Sequence, residues 1–202
     1  MFWQEVHQLD QELTLTINSW HSQLTDPIWQ FFSDKLVWAP MYAAIIALLI
    51  WRLGWKKGLV AVAAALLTFG FCDQFSNLIK EAVGRIRPLH DEFMKTNGLH
   101  VLEKGGGFSF FSAHAANAFG LACSTYLCLR EDKRLRYRGY AGWMFFWATM
   151  VSVSRIFVGK HYLGDVLVGI IVGAAAGITF GRLALYAINK YLQSKEKKYL
   201  TD

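Results

Sequence analysis

Ser154-Arg155-Ile156-Phe157-Val158-Gly159-Lys160-His161-Tyr162-Leu163-Gly164-Asp165 lies where one long apolar segment ends and the next begins. The stretch sets a cation, a histidine and a carboxylate at that junction. If the chain after Lys160 is helical, His161 and Asp165 stand one turn apart on one face. A carboxylate so placed can accept a hydrogen bond from one ring nitrogen and leave the other free as a nucleophile or base. Read by itself, the stretch fits an interfacial histidine beside an ordinary helix-start aspartate better than a catalytic pair. The rest of the chain changes that balance.

Outward from the junction, residues 140–156 and 162–188 each approach or exceed the roughly 20 residues that cross a hydrocarbon core as a helix. Three similar runs precede them, at 36–53, 58–79 and 111–129. The chain is 54% hydrophobic and 15% aromatic, high for a water-soluble domain and ordinary for a polytopic membrane protein. The expected fold class is therefore all-α, a polytopic transmembrane helical bundle of about five spans. Residues 1–34 place Phe2, Val6, Leu9 and Leu13 at near-helical spacing among polar residues. They read as an amphipathic interfacial segment, a sixth helix of which part can dip into the bilayer, broken at Asp26-Pro27. Residues 35–190 then form the transmembrane domain and 191–202 a basic cytoplasmic tail. The first residues, Met1-Phe2-Trp3-Gln4-Glu5, lack the pattern of a cleaved signal peptide.

Basic residues orient the spans. Arg52, Lys56 and Lys57 lie in one turn, Arg130, Lys133, Arg134, Arg136 and Arg138 in another, and Lys190, Lys195, Lys197 and Lys198 near the end. Alternation puts all three groups on one side, which the positive-inside rule makes cytoplasmic. The N-terminal segment, the 80–111 connection and the 154–161 turn then face the periplasm or cell exterior. The net charge of +6 follows this topology and comes without an aromatic-basic surface, so nucleic acid is not an expected partner. Cys72, Cys123 and Cys128 all lie in apolar runs without a CxxC pair and read as buried thiols. Gly169, Gly173, Gly177 and Gly181 recur every four residues, a ridge that lets a neighbouring helix come close.

Polar residues intrude where lipid would be. Asp73, Asn77, Lys80, Glu81 and Arg87 follow the apolar part of the second span. Positions 73, 80 and 87 share a helical stripe with a drift of ~20° per heptad. Pro88 should end that helix at Arg87. Arg85 reads as an interface anchor. In the connection that follows, His90 and His100 have no partner at an informative spacing and read as loop histidines. Gly105-Gly106-Gly107 reads as a simple turn. Ser112 is a plausible N-cap for the third span, and the amides after it form a natural phosphate cradle that includes Ala113. His114 stands at the same mouth, one turn above Asn117.

By topology Lys80, Arg87, Arg155, His114, His161 and Asp165 share one membrane face. The cations can neutralise an anion with several oxygens, the arginines by bidentate geometry. Phosphoryl transfer depends mainly on positioning and charge stabilisation, which this set supplies. His161 could attack phosphorus, Asp165 fix its tautomer and His114 protonate the leaving group. A metal hydrolase, with His114, His161 and Asp165 as ligands, is a competing enzyme reading. Three nearby cations disfavour a divalent ion, so the expected set of metal ligands is none, and no cofactor is expected.

Three motifs then resemble a known family. Lys80-Glu81-Ala82-Val83-Gly84-Arg85-Ile86-Arg87-Pro88 looks like the first motif of the type 2 phosphatidic acid phosphatases, the PAP2 superfamily. Phe111-Ser112-Ala113-His114 is similar to the second, usually Pro-Ser-Gly-His, and Ser154-Arg155 through His161 to Asp165 matches the third. The resemblance covers residues 80–165 by motif and most of the chain by span layout. It implies metal-independent dephosphorylation through a phosphohistidine. Lys80, Arg87, Ser112 and Arg155 would contact phosphate, His114 would do acid-base work, His161 would attack and Asp165 would orient it. Phe111 and Ala113 depart from the usual motif. The expected substrate is a membrane lipid phosphate, with undecaprenyl diphosphate first and phosphatidylglycerol phosphate, phosphatidic acid or lipid A phosphates as alternatives. A transporter or non-catalytic lipid-phosphate binder is the alternative of a different class; it would keep the cations without needing both histidines.

Overall fold

The computed structural model describes the backbone of residues 2–201 and side chains between residues 3 and 190. Lys195, Lys197 and Lys198 of the expected basic tail lie outside the described side chains. Eight α-helices follow one another: α1 (Phe2–Asn18), α2 (Asp26–Ser33), α3 (Ala39–Leu53), α4 (Trp55–Val83), α5 (Glu92–Thr96), α6 (Ala113–Leu129), α7 (Arg138–Phe157) and α8 (Leu163–Thr201). Single 3-10 turns precede α3 at Leu36–Trp38 and α5 at Pro88–His90. No strand occurs among the described residues. The fold is an all-α membrane bundle, with a long helix over each of the five apolar runs. Leu36–Leu53, Leu163–Lys190 and a window within Trp55–Thr96, the stretch that holds α4, have the length and hydropathy of membrane spans.

The core is organised around α6, whose Ala115, Ala116, Ala118 and Ala122 are almost wholly enclosed. Small residues there meet the glycine ridge of α8. A Cβ added to Gly173 would sit 2.1 Å from the Ala116 carbonyl oxygen, and one added to Gly177 would sit 2.4 Å from that of Gly120. Backbone therefore lies directly on backbone. The ridge is a packing device, as its spacing suggests. This contact fixes the mouth of α6 against the start of α8, where the Ser112 amide donates to the Asp165 carbonyl at 3.0 Å. All three cysteines are free and buried.

Two helix boundaries differ from expectation. The second span stops at Val83, because Gly84 takes a left-handed conformation (φ 63°) and its amide closes on the Lys80 carbonyl at 2.9 Å. Arg85 and Arg87 thus lie beyond the helix, and Arg87 is extended, as the residue before a proline should be. Likewise α8 begins at Leu163. His161 precedes the helix rather than riding on it, presented by a turn at Gly159 (φ 79°).

The N-terminal segment also does more than rest on a surface. Trp3, Leu9 and Leu13 of α1 are exposed, whereas Gln11, Thr14 and Asn18 are buried against the bundle. The helix turns its polar face inward and its apolar face outward, the arrangement of a helix bathed in lipid headgroups and tails. Asp10 and Thr14 reach across to α8. Asp10 Oδ1 accepts from the Gly164 amide at 2.7 Å, and Thr14 Oγ1 accepts from the Leu163 amide at 2.9 Å. Helix α1 thereby satisfies first-turn donors of α8 that have no partner within the helix.

Candidate active site

Asp165 is fully buried and every contact it makes is directional. It occupies the third position of α8 and accepts from the Tyr162 backbone amide at 3.1 Å, the return arm of a capping box. The Ser109 hydroxyl donates to the same oxygen, Oδ2. His161 Nδ1 faces this pair, 3.5 Å from Asp165 Oδ2 and 3.4 Å from Ser109 Oγ. On the other side, Arg85 Nη1 donates to Asp165 Oδ1 at 2.8 Å, while Arg85 Nη2 donates to Asp10 at 2.7 Å. The guanidinium also lies 3.8 Å from the ring centroid of Tyr162.

Arg85 is therefore no interface anchor. It bridges two carboxylates from α1 and α8, a role sequence reading missed because Asp10 and Asp165 lie 75 and 80 positions away. Ser109 was missed for the same reason. With Nδ1 turned to Ser109 and Asp165, the Nε2 edge of His161 is the one left to face the cavity. Burial pushes the His161 pKa down to about 4, although the hydrogen bond to Asp165 opposes the shift. The ring is neutral at neutral pH, the state a nucleophile requires.

That edge borders a cavity of about 310 Å³ lined by Lys80, Arg87, Ala113, His114, Arg155 and His161, with Asp73, Asn77, Lys35, Lys160, Gly105 and Gly106 completing the wall. The structure thus brings together every cavity-facing residue that the three motifs nominate. Ser112 is buried behind the wall, and its side chain accepts from the Ala115 amide at 3.4 Å as the N-cap of α6. Ala113 begins the helix normally, so the departure from glycine leaves the α6 mouth in helix-start geometry. Arg87 arrives by the turn after Gly84 rather than along a helical stripe. Its Nη1 donates to the Lys160 carbonyl at 3.4 Å. Arg155 is 3% exposed, and its Nη1 donates to Ser33 of α2. The Nε atoms of Arg87 and Arg155 are both buried and without a partner among the described residues. Two guanidinium groups with unused donors around one cavity fit a multi-oxygen anion.

Three charged residues at this site, Lys35, Lys160 and Glu103, were not anticipated. Lys35, from the turn after α2, lines the cavity. Glu103 lies 2.6 Å from Lys160 Nζ and 3.7 Å from Arg155 Nη1. Burial alone would raise the Glu103 carboxyl, but hydrogen bonds from Lys160 and Ser33 with the Arg155 charge hold it below its ordinary value. An acidic side chain thus rests on part of the cation set. A separate cleft of about 390 Å³ opens beside the cavity, lined by Trp38, Tyr42, Leu66, Phe69, Leu121 and Trp147. Lys35 and His114 line both spaces. A charged cavity and an apolar cleft meet at His114.

The metal alternative meets a geometric obstacle. Asp165 Oδ1 is engaged by Arg85, and Oδ2 by Ser109 and the Tyr162 amide.

The fold and cavity define a membrane phosphatase, and comparison with known proteins gives its family. Residues 57–189 match the model of the PAP2 superfamily. The chain is 36% identical over 189 residues to a lipid A 4'-phosphatase of Bacteroides thetaiotaomicron, covering 92% of this chain and 81% of that one. A lipid A 4'-phosphatase of Porphyromonas gingivalis is 30% identical over 190 residues, 92% of this chain and 77% of that one. Among solved structures, the transmembrane PAP2-type phosphatidylglycerolphosphate phosphatase of Bacillus subtilis aligns with a TM-score of 0.66 at 19% identity, over 92% of this chain and 87% of that one. Aquifex aeolicus LpxE aligns at 0.60 and 22% identity, over 87% and 93%. These two likenesses concern the fold. The chain belongs to the PAP2 superfamily. It is a metal-independent lipid phosphatase of the membrane, and the non-catalytic alternative is set aside.

Proposed function

We propose that this phosphatase removes the 4'-phosphate of lipid A at the outer face of the cytoplasmic membrane. The observation that carries the reading is the junction at His114, where a cavity rich in cations meets an apolar cleft. A phosphate on a large acylated headgroup can sit in the first while an acyl chain enters the second. Similarity to two lipid A 4'-phosphatases supports this lipid over undecaprenyl diphosphate, the first choice from sequence. The basic turns at 52–57 and 130–138 support the orientation, since they lie at the end of the bundle away from the cavity.

In the proposed reaction Lys80, Arg87 and Arg155 hold the equatorial phosphate oxygens with the first amides of α6. Nε2 of His161 attacks phosphorus, forming a P–N bond as the P–O bond to the sugar breaks. Charge accumulating on His161 is stabilised by Asp165 through Nδ1–H. His114 gives a proton to the departing sugar oxygen. A water then attacks phosphorus from the vacated side and returns its proton to His114, and the P–N bond breaks. Inorganic phosphate leaves, and both histidines regain their starting states. The domain division into an interfacial segment at 1–34, a catalytic bundle at 35–190 and a tail at 191–202 is kept, with α1 assigned to hold α8 in place.

A substrate panel tests the reading. Purified protein in detergent with excess chelator is given bisphosphorylated lipid A, phosphatidylglycerol phosphate, phosphatidic acid and undecaprenyl diphosphate. The expected result is fastest phosphate release from lipid A, with mass spectrometry placing the loss at the 4' position. Faster turnover of the prenyl diphosphate, or loss from the 1 position, would overturn the assignment.

A further inference from the structure

A second cluster of ligand-type side chains lies outside the catalytic cavity. One ring nitrogen each from His21 and His100 and a carboxylate oxygen of Asp26 all fall within 4.8 Å of one another. The two imidazoles stack with centroids 3.6 Å apart and planes 5° from parallel. His100 Nε2 lies 3.0 Å from Asp26 Oδ2, and His21 Nδ1 lies 3.8 Å from Asp26 Oδ1. The second separation is too long for a hydrogen bond. Both of its atoms are nonetheless shut off from water and have no partner among the described residues. Buried polar atoms left unpaired are unfavourable and call for an explanation.

The backbone beneath the cluster is fixed. Asn18, at the end of α1, accepts from the His100 amide at 2.8 Å and donates to the His100 carbonyl at 3.0 Å. The same side chain donates to the carbonyls of Ile156 and Phe157. His21 is held in a turn by its amide on the Asn18 carbonyl at 3.1 Å, and Asp26 opens α2 ahead of Pro27. Three donor groups from two distant parts of the chain thus sit on anchored positions. Their side chains as a whole remain 35%, 17% and 30% exposed for His21, Asp26 and His100, so the cluster lies near the surface.

We propose that His21, Asp26 and His100 form a structural site for a divalent transition metal, of the zinc class. Two imidazoles and a carboxylate are a ligand set that zinc takes with a fourth position left for water. An ion between the rings would partner the two orphaned atoms, with the imidazoles splaying from their stack to converge on it. Bound metal would tie the α1–α2 turn to the connection that carries Glu103 and Ser109. It would thereby stiffen one wall of the catalytic site without entering the reaction.

The test uses full-length protein in detergent, stripped with chelator and dialysed, then titrated with Zn²⁺ or Co²⁺. Wild type is expected to bind one zinc per chain and to gain thermal stability, with a cobalt spectrum of nitrogen and oxygen ligation. His21→Ala and His100→Ala should each weaken binding at least about tenfold. His161→Ala and His90→Ala should keep the wild-type stoichiometry, which separates this site from the catalytic cavity. Equal zinc uptake by wild type and the His21 and His100 variants would overturn the proposal. So would loss of uptake in His161→Ala, or a midpoint that responds to pH and not to zinc. If an alanine variant does not fold, the wild-type cobalt spectrum decides, and a spectrum without nitrogen ligation counts against the site.

Discussion

Each end of the bundle has an aspartate held by arginine, and only one of them faces a histidine that borders a cavity. At the basic end, Asp132 Oδ2 lies 2.6 Å from Arg52 Nη2 and accepts from the Tyr137 hydroxyl at 2.6 Å, while Oδ1 accepts from Arg134 Nε at 2.8 Å. Hydrogen bonds from Arg134, Tyr137 and Arg52 hold its carboxyl well below the usual carboxylate range. Arg134 also donates to the Arg52 carbonyl at 3.0 Å, so the knot ties the end of α3 to the α6–α7 turn. At the other end, Asp165 has Arg85, Ser109 and a backbone amide. Its remaining neighbour is His161, a group with a second, reactive edge that looks into a cavity. The two knots use the same interactions. They differ in that one partner at the Asp165 end, His161, keeps an edge free toward the cavity.

Substitutions at the two ends should therefore diverge. Asp165→Asn, which keeps volume but can present a donor to Nδ1, is expected to lower kcat by about 10³-fold with a near-normal circular dichroism spectrum. Asp132→Asn should leave kcat within about twofold and lower the thermal midpoint, because it breaks a brace remote from the cavity. Equal loss of activity at both ends would erase the distinction. Arg85→Ala is expected to lower kcat by about 10- to 100-fold with KM less affected, since it holds Asp165 and does not face the cavity. A change mainly in KM would instead make Arg85 a phosphate contact.

Acid should sharpen the contrast further. His161 titrates near pH 4 because of burial, so kcat/KM should fall tenfold per unit below that value as the nucleophile gains a proton. In the unfolded chain a histidine protonates near pH ~6.5. The buried neutral ring thus withdraws stability progressively as pH drops from ~6.5 toward 4, and withdraws none above that window. Asp132, held low, should remain ionised meanwhile, and the basic end should stay closed. Pre-steady-state rates against pH with a substrate whose phosphate charge is constant would check the first point. The smallest effect is expected from Glu103→Gln, which frees Lys160 and Arg155 from a competing anion and should lower KM by about two- to fivefold. A raised KM would show that Glu103 assists binding.

Much of this was legible in the chain. Apolar runs of span length, glycines every four residues and a histidine four residues before an aspartate are local patterns. Local patterns survive folding, and the five long helices, the glycine ridge and the cavity-facing Lys80, Arg87, His114, Arg155 and His161 follow from them. The parts that escaped depend on contact between distant segments. Arg85 looks like any basic residue near an interface until Asp10 and Asp165 are brought to it. Glu103 and Lys35 sit in irregular chain, where no periodicity indicates a facing direction. Asn18 and Thr14 read as the polar side of a surface helix, yet they cap and brace the cavity end of the bundle. His100 lacks a neighbour in sequence, and its partners Asp26 and His21 come from the other side of four helices. Even the approach of His161 to Asp165 arises for a different reason, since His161 lies ahead of the helix and is fixed by the turn at Gly159.

The central claim is that His161 carries the phosphoryl group between lipid and water. It is tested most directly by mixing enzyme with lipid A for a few turnovers, quenching in base, in which phosphohistidine survives, and mapping the modified peptide by mass spectrometry. The account predicts one phosphoryl group on His161, absent from His161→Ala. It also predicts less of the adduct in His114→Ala, where the departing sugar oxygen loses its proton donor. A phosphoryl group on any other residue, or undiminished turnover by His161→Ala, would contradict it.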